Sequence, residues 1–117
     1  MWIGLLDMGE GNIQTAIKNY LKTLPRCRVI NIHGSAYQEK GIADLLVCYK
    51  GLYVALEIKQ DSGEPSKDQL LFLRSIRQAD GIGEIVYGIE IVRDIIRCVD
   101  KGRTWKPISN LSLKRTT

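Results

Sequence analysis

Asp44 and the triplet Glu57-Ile58-Lys59 are the residues of this sequence best suited to chemistry. They belong to two short apolar runs, Ala43–Tyr49 and Leu52–Lys59, that meet at Lys50-Gly51. Gly51 takes φ > 0 at no steric cost, so the spacing predicts a tight antiparallel hairpin turning on Lys50 and Gly51. Tyr49 then opposes Leu52, and the same register sets Asp44 directly across from Glu57. A four-residue loop keeps that register, whereas a three-residue loop breaks it. Cross-strand partners have Cβ atoms about 4.5–5.5 Å apart, a distance at which like charges destabilise. Lys59 shares the face of Glu57 by the period of two. The rest of that face reads Tyr53 and Ala55, with Leu46 and Cys48 across the hairpin. Two carboxylates and a lysine at the end of a mostly apolar face require compensation. A hard divalent cation supplies it, because Mg²⁺ takes one or two carboxylates and keeps positions for water and phosphate. Lys59 beside it is placed to orient or deprotonate an attacking water, or to neutralise charge developing on a phosphate. The same three side chains also satisfy one another as a partly buried salt-bridged triad with no catalytic role.

The surroundings narrow the choice. Gly41-Ile42-Ala43-Asp44-Leu45-Leu46, Gly51, Leu56-Glu57-Ile58-Lys59, Gly63-Glu64-Pro65-Ser66 and Gln69 together resemble the PD-(D/E)xK nuclease superfamily. Within it they resemble the VRR-NUC (virus-type replication-repair nuclease) domain of the stand-alone phage or bacterial type. The likeness runs from Glu10 to about Val99. Ala43 stands where the family commonly has proline, which is a backbone preference and not a ligand. The resemblance implies an Mg²⁺- or Mn²⁺-dependent DNA endonuclease, a phosphodiester hydrolase. It implies metal-binding roles for Asp44, Glu57 and the Ile58 carbonyl, with Lys59 as the catalytic lysine. Glu10 matches the acidic residue of the family's first helix, which completes the metal shell directly or through water. On its own, Glu10 reads as a first-turn carboxylate favoured by the helix dipole. Gln69 matches the family's catalytic-site glutamine. It also completes a capping box, Ser66-Lys67-Asp68-Gln69, in which its side chain bonds back to the Ser66 amide; the resemblance favours the catalytic role.

DNA contacts are expected from His33, Lys40, Lys67 and Arg74. His33 is the single histidine, and its ordinary pKa near neutrality suits a general base. Its place at a strand end favours a phosphate contact instead, together with Tyr37, Gln38 and Lys40 of the following loop. Lys67, Arg74 and Arg77 of the second helix are phosphate candidates or solvated surface. Stand-alone members of the family resemble dimeric resolvases, so the resemblance extends to a homodimer cutting branched DNA such as four-way (Holliday) junctions, where two symmetric nicks are needed. The apolar stripe of the third helix and the basic tail are the candidate interface elements. Two other readings remain: a monomeric flap or nicking nuclease, and a non-catalytic nucleic-acid-binding module with a nuclease fold. An enzyme of small phosphorylated metabolites is disfavoured by the tail.

Positioning these residues takes seven elements. Ile13, Ala16, Ile17, Tyr20, Leu21 and Leu24 make one helical face between Glu10 and Leu24, and Pro25 stops that helix. Cys27–Ile32 reads as a strand, the two runs above as a hairpin, and Asp61–Pro65 as a loop. A second helix opens at Ser66 and runs to about Ala79, closed by Asp80-Gly81. Glu84–Tyr87 is a short strand, and Glu90–Asp100 a helix with Val92, Ile95, Ile96 and Val99 on one stripe. The order αβββαβα predicts an α/β (α+β) fold with a mixed four-stranded sheet flanked by helices; the resemblance makes αβββαβ a restriction-endonuclease-like core.

The chain has 117 residues, 44% of them apolar, enough for one domain with a packed core. Three scattered cysteines exclude a disulfide scaffold or zinc knuckle and read as reduced, buried thiols of a cytoplasmic protein, in a bacterial or phage-infected cell. No apolar run spans a membrane and no secretory leader is expected. Lys101, Arg103, Lys106, Lys114 and Arg115 give residues 101–117 a charge of +5 within a total of +4. The division expected is therefore a nearly neutral nuclease-like domain over 1–100 and a basic tail over 101–117. Such a tail with Trp105 suits a polyanion, or is a solvated terminus.

Overall fold

The computed structural model describes residues 10–32, 40–60 and 63–113. Helix α1 (Glu10–Lys22) buries Ile13, Ile17 and Leu21, the three strongest members of the periodic face. Strands β1 (Cys27–Asn31), β2 (Leu45–Tyr49) and β3 (Leu52–Ile58) form an antiparallel meander. Its hairpin turns on Lys50 and Gly51, both with positive φ (50° and 85°). That is the backbone pair of a type I′ turn, whose twist matches the flanking strands. Tyr49 accordingly faces Leu52, and the ladder runs on to Leu45 opposite Leu56.

Helix α2 (Lys67–Gln78) carries the chain across the sheet, so β4 (Ile82–Val86) lies parallel to β3. Helix α3 (Ile89–Asp100) follows. The sheet order is β1-β2-β3-β4, the mixed four-stranded sheet expected. Helices α1 and α3 share one face, where Ile17, Leu45, Val47, Val54, Leu56, Val92 and Ile95 form the larger core. Helix α2 covers β3 and β4 on the other face through Leu73, Ala55 and Ile85. At the hairpin end, Tyr49 donates its hydroxyl to Asp100 (2.6 Å) and Lys50 pairs with the same carboxylate (2.7 Å). The two bonds hold the Asp100 carboxyl below its ordinary range, and the bond to Asp100 raises the Tyr49 phenol.

Four expectations change. Strand β4 begins at Ile82 and not Glu84, because both its faces are covered and every residue from Ile82 to Val86 is buried. A strand buried on both sides does not alternate, so the charge at its centre gives no sign that the strand starts two residues earlier. Cys48 is exposed rather than buried, since α2 covers β3 and β4 but leaves this end of the sheet face open; all three cysteines are free thiols. The apolar stripe of α3 is no free interface: Val92, Ile95 and Ile96 are spent in the larger core.

The fourth concerns residues 101–113, which run back along the open edge of β4. Ser109 closes that edge with its side chain, accepting from Ile85 N (2.9 Å) and donating to Ile85 O (3.1 Å). Leu111 is buried in the smaller core and Trp105 packs against the larger one. Trp105 is thus turned into the protein and not toward a polyanion. Covering an edge in this way removes a row of unpaired backbone groups that would otherwise template aggregation.

Candidate active site

The site forms where the β1-β2-β3 ladders run out. Lys59 N donates to Val86 O on the β4 side (3.0 Å). Alternation along the strand therefore points Ile58 N the other way, toward β2. The β2 ladder has already ended at Leu45, and the Asp44 carboxylate takes the place of a strand partner by accepting from Ile58 N through Oδ2 (2.8 Å). Ile32 N in turn donates to Asp44 O (3.1 Å), fixing the Asp44 backbone from the β1 side. The register predicted from the hairpin holds through Leu45 and Leu56, and Asp44 lies one residue beyond that paired region.

Glu57 is 1% exposed, on the face of the sheet that α2 covers. Its Oε2 lies 3.3 Å from Lys59 Nζ, and the lysine side chain is 18% exposed. The carboxylate is thereby buried and countered by a lysine that keeps only limited access to solvent. Burial of a carboxylate is tolerated only with such compensation. The three motif residues lie at the same end of the sheet: Asp44 on the Ile58 amide, Glu57 on Lys59. Among the described residues no cluster of three or more His, Cys, Asp and Glu side chains is placed to hold a metal ion.

The loop before Asp44 is seated on α2. Gly41 has φ +83°, and a Cβ there would stand 2.5 Å from the backbone carbonyl carbon and oxygen of Asp68. No side chain can be added without moving the loop or the helix. Gly41→Ala is expected to lower stability by about 2 kcal/mol or more, from a strained φ and a backbone clash together. Urea unfolding checks this as a lower midpoint at unchanged slope; an unchanged midpoint would mean that the loop does not rest on α2.

The other sequence-derived residues are placed as follows. Gln69 closes the capping box: its Oε1 accepts from Ser66 N (2.8 Å), and Ser66 Oγ accepts from Gln69 N (3.2 Å). That oxygen is engaged at the helix start. Lys40 is exposed and pairs with Asp68 at 3.6 Å, on the same side of α2 as the Gly41 contact. Lys67 and Arg74 are exposed on α2. Arg77 is not available for phosphate: Nη2 binds Glu84 (2.8 Å) and Nε donates to Gly83 O (2.8 Å). Its guanidinium is consumed in the fold. The Glu10 side chain, His33, Tyr37 and Gln38 lie outside the described residues.

Glu84 is the charged residue whose importance the sequence did not signal. It is 0% exposed in the middle of β4. Oε1 accepts from Arg77 Nη2 (2.8 Å) and Ser109 N (2.9 Å). Oε2 accepts from Trp105 Nε1 (2.6 Å) and Ile108 N (2.8 Å). Burial by itself pushes its pKa up, but the donors from Ile108, Trp105 and Ser109 outweigh it and hold the carboxyl below its ordinary value. Its partners are 7, 21, 24 and 25 residues away in the chain, so no local spacing marks it.

No family model and no curated protein matches the sequence. Two solved structures match the fold. One, a VRR_NUC domain, superposes with a TM-score of 0.62 at 24% identity, covering 75% of this chain and 94% of that one. Another, a VRR_NUC domain protein, gives 0.61 at 18% identity over 89% of this chain and 98% of its own. The mixed sheet, its flanking helices and these two superpositions agree: the chain has the fold of a VRR_NUC domain, the fold its motif residues resemble.

Proposed function

We propose that this protein is a divalent-metal-dependent DNA endonuclease. The observation that carries the reading is the arrangement at the strand ends: a buried Glu57 countered by Lys59, beside an Asp44 locked to the Ile58 amide. The donor set is all oxygen. Two carboxylates with a main-chain carbonyl match what Mg²⁺ or Mn²⁺ accepts from protein while keeping waters and a substrate phosphate. Asp44, Glu57 and the Ile58 carbonyl would hold the ion, with the Glu10 carboxylate joining directly or through water. Once bound, such an ion supplies a more acidic water and a clamp on the phosphoryl oxygens.

The protein's own part is to position and to balance charge. The Ile58 amide fixes the Asp44 carboxylate, so that this ligand is ordered before any ion arrives. Lys59 serves Glu57 as its counter-ion and is partly open to solvent, so that it would meet the attacking water or the phosphate charge. Lys67 and Arg74 on the exposed side of α2 would follow the DNA backbone. The substrate we favour is branched DNA such as a four-way junction, cut by a homodimer, because two symmetric nicks need two sites in matching orientation. Among the described residues no helix is long and apolar enough to cross a membrane.

The deciding experiment offers labelled linear, flap, splayed and four-way DNA with Mg²⁺, Mn²⁺ or EDTA. Cleavage that requires the metal and prefers branched substrates is the expected result, with light scattering giving the mass of a dimer. Calorimetric titration should show metal binding to the wild type that is lost in Asp44→Asn. Unchanged metal affinity in that variant removes Asp44 from the site. A second reading, a non-catalytic DNA-binding module, is favoured by Lys59 already standing as a counter-ion to Glu57 (3.3 Å); DNA binding with no metal-dependent cleavage would establish it.

A further inference from the structure

A groove of about 580 Å³ lies between the start of α2 and the returning segment 110–113. Its floor is Ile85 and Tyr87. Parallel pairing sets Ile85 beside Glu57, and partners in a parallel ladder present their side chains to the same face. The floor is therefore the direct continuation, one strand over, of the surface that carries Glu57 and Lys59. The two are joined a second time. Tyr87 donates its hydroxyl to Gly63 O (3.3 Å), and Gly63 sits against Lys59, where an added Cβ would stand 3.2 Å from the lysine Cβ.

The chemistry of the walls is mixed in a particular way. Tyr87 is 45% exposed, an aromatic face offered to the groove. Lys67 supplies a cation and Glu64 a carboxylate on the α2 side, and Asn110 an amide on the other; the phosphate's place is therefore at the Lys67 side of the groove. An aromatic face, an amide and a cation are the groups that receive a base by stacking, its edge by hydrogen bonds and its phosphate by charge. The volume falls in the range of sites that enclose a small ligand. A base within a duplex already has its faces stacked and its edge paired, so it cannot enter without being extruded.

Resting on the nuclease reading, we propose that this groove holds one unpaired nucleotide of the DNA strand beside the phosphate to be cut, with Tyr87 as its stacking platform. The protein would then select unpaired or distorted positions through a pocket next to its site. The hydroxyl of Tyr87 has a separate, purely structural job in holding the 63–65 loop, and substitutions divide the two roles.

The test uses the full chain and a short single-stranded oligonucleotide carrying one 2-aminopurine, with the same sequence as a duplex for comparison. Binding of the single strand to wild type should quench the fluorophore, and the duplex should show little change. Tyr87→Phe keeps the ring and should keep the quenching. Tyr87→Ala and Tyr87→Leu should lose it and weaken single-strand binding about tenfold or more, with circular dichroism melting showing which variants are folded. Equal quenching in the folded Leu variant, or loss in Phe equal to that in Leu, overturns the proposal. Wild-type cleavage in Mg²⁺ and in EDTA is measured alongside. Quenching without cleavage supports the pocket and overturns the nuclease reading, whereas cleavage without quenching does the reverse.

Discussion

Glu57→Ala is expected to abolish metal-dependent cleavage while leaving the protein folded and able to bind DNA. The loss should be at least about a hundredfold, the scale on which removal of one charge-stabilising group acts in hydrolytic sites. Glu57 is 1% exposed and its ion pair is with Lys59, whose side chain is 18% exposed. Removing the carboxylate therefore strands an ammonium that can turn to water, and the usual penalty for leaving a buried partner unpaired is avoided. DNA affinity should hold or rise, since the proposed reading sets this negative charge beside phosphate. Lys59→Ala should also cut poorly, but it leaves the carboxylate buried without that counter-ion and should melt lower than Glu57→Ala. Gel-based cleavage and filter binding on the same preparations check the pair. Cleavage by Glu57→Ala within a few-fold of wild type would take Glu57 out of the chemistry.

Glu84→Gln should be the most destabilising conservative substitution in the chain. The carboxylate accepts four hydrogen bonds, from Arg77, Ser109, Trp105 and Ile108, all between 2.6 and 2.9 Å. An amide turns one acceptor oxygen into a donor, so two N–H groups meet an N–H₂, and the guanidinium of Arg77 loses its counter-charge. Breaking a buried pair from one side costs about 3–5 kcal/mol, a large part of a typical domain's stability. The melting temperature should fall by roughly 10–20 °C. Acid provides an independent check. The folded pKa of Glu84 is depressed, so the unfolded chain binds more protons in the window between the two values. The stability it contributes is complete above its ordinary value of about 4.5 and is lost as pH falls through the folded value. The gap between wild type and Glu84→Gln should therefore close in acid below that value. A gap of under about 1 kcal/mol at neutral pH would show that the latch contributes no more than an ordinary surface pair.

The same latch changes how the basic C-terminal segment must be tested. Removing residues 101–117 to probe phosphate contacts would also remove Trp105, Ile108 and Ser109 from Glu84, and Leu111 from the core. Weak DNA binding by that truncation would report an unfolded protein. Removing Lys114 to Thr117 alone keeps all four of those residues in the chain.

Much of this protein is legible along the chain because the features are local. The period of 3.6 over Ile13, Ile17 and Leu21 specifies α1, and the period of two with Lys50-Gly51 specifies the hairpin and its register. A hairpin turn of known length leaves one pairing, and the period of two alone sets Glu57 and Lys59 on one face. The capping box Ser66 to Gln69 is equally local, four consecutive residues that satisfy each other's backbone. The resemblance favours a catalytic role for Gln69; the fold places its Oε1 in the cap.

Tertiary structure decided what depends on distant partners. Glu84 looks like the polar start of a strand until Trp105, Ile108 and Ser109 return from beyond α3 to surround it, and Arg77 looks like a phosphate contact until it is seen bound to Glu84. Composition reports the charge of residues 101–113 but not that their backbone closes the β4 edge, because hydrogen bonds from a side chain such as Ser109 to Ile85 leave no periodic trace. The carboxylate of Asp44 was placed by the pairing rule opposite Glu57; it is the end of the β2 ladder, leaving Ile58 N without a strand partner, that draws it onto that amide. Sequence determines the elements and their faces, since those follow from neighbours a few residues apart. Which charges are buried, and by whom, is settled only when elements far apart in the chain are packed together, because a buried charge is tolerated only where the assembled fold supplies its donors.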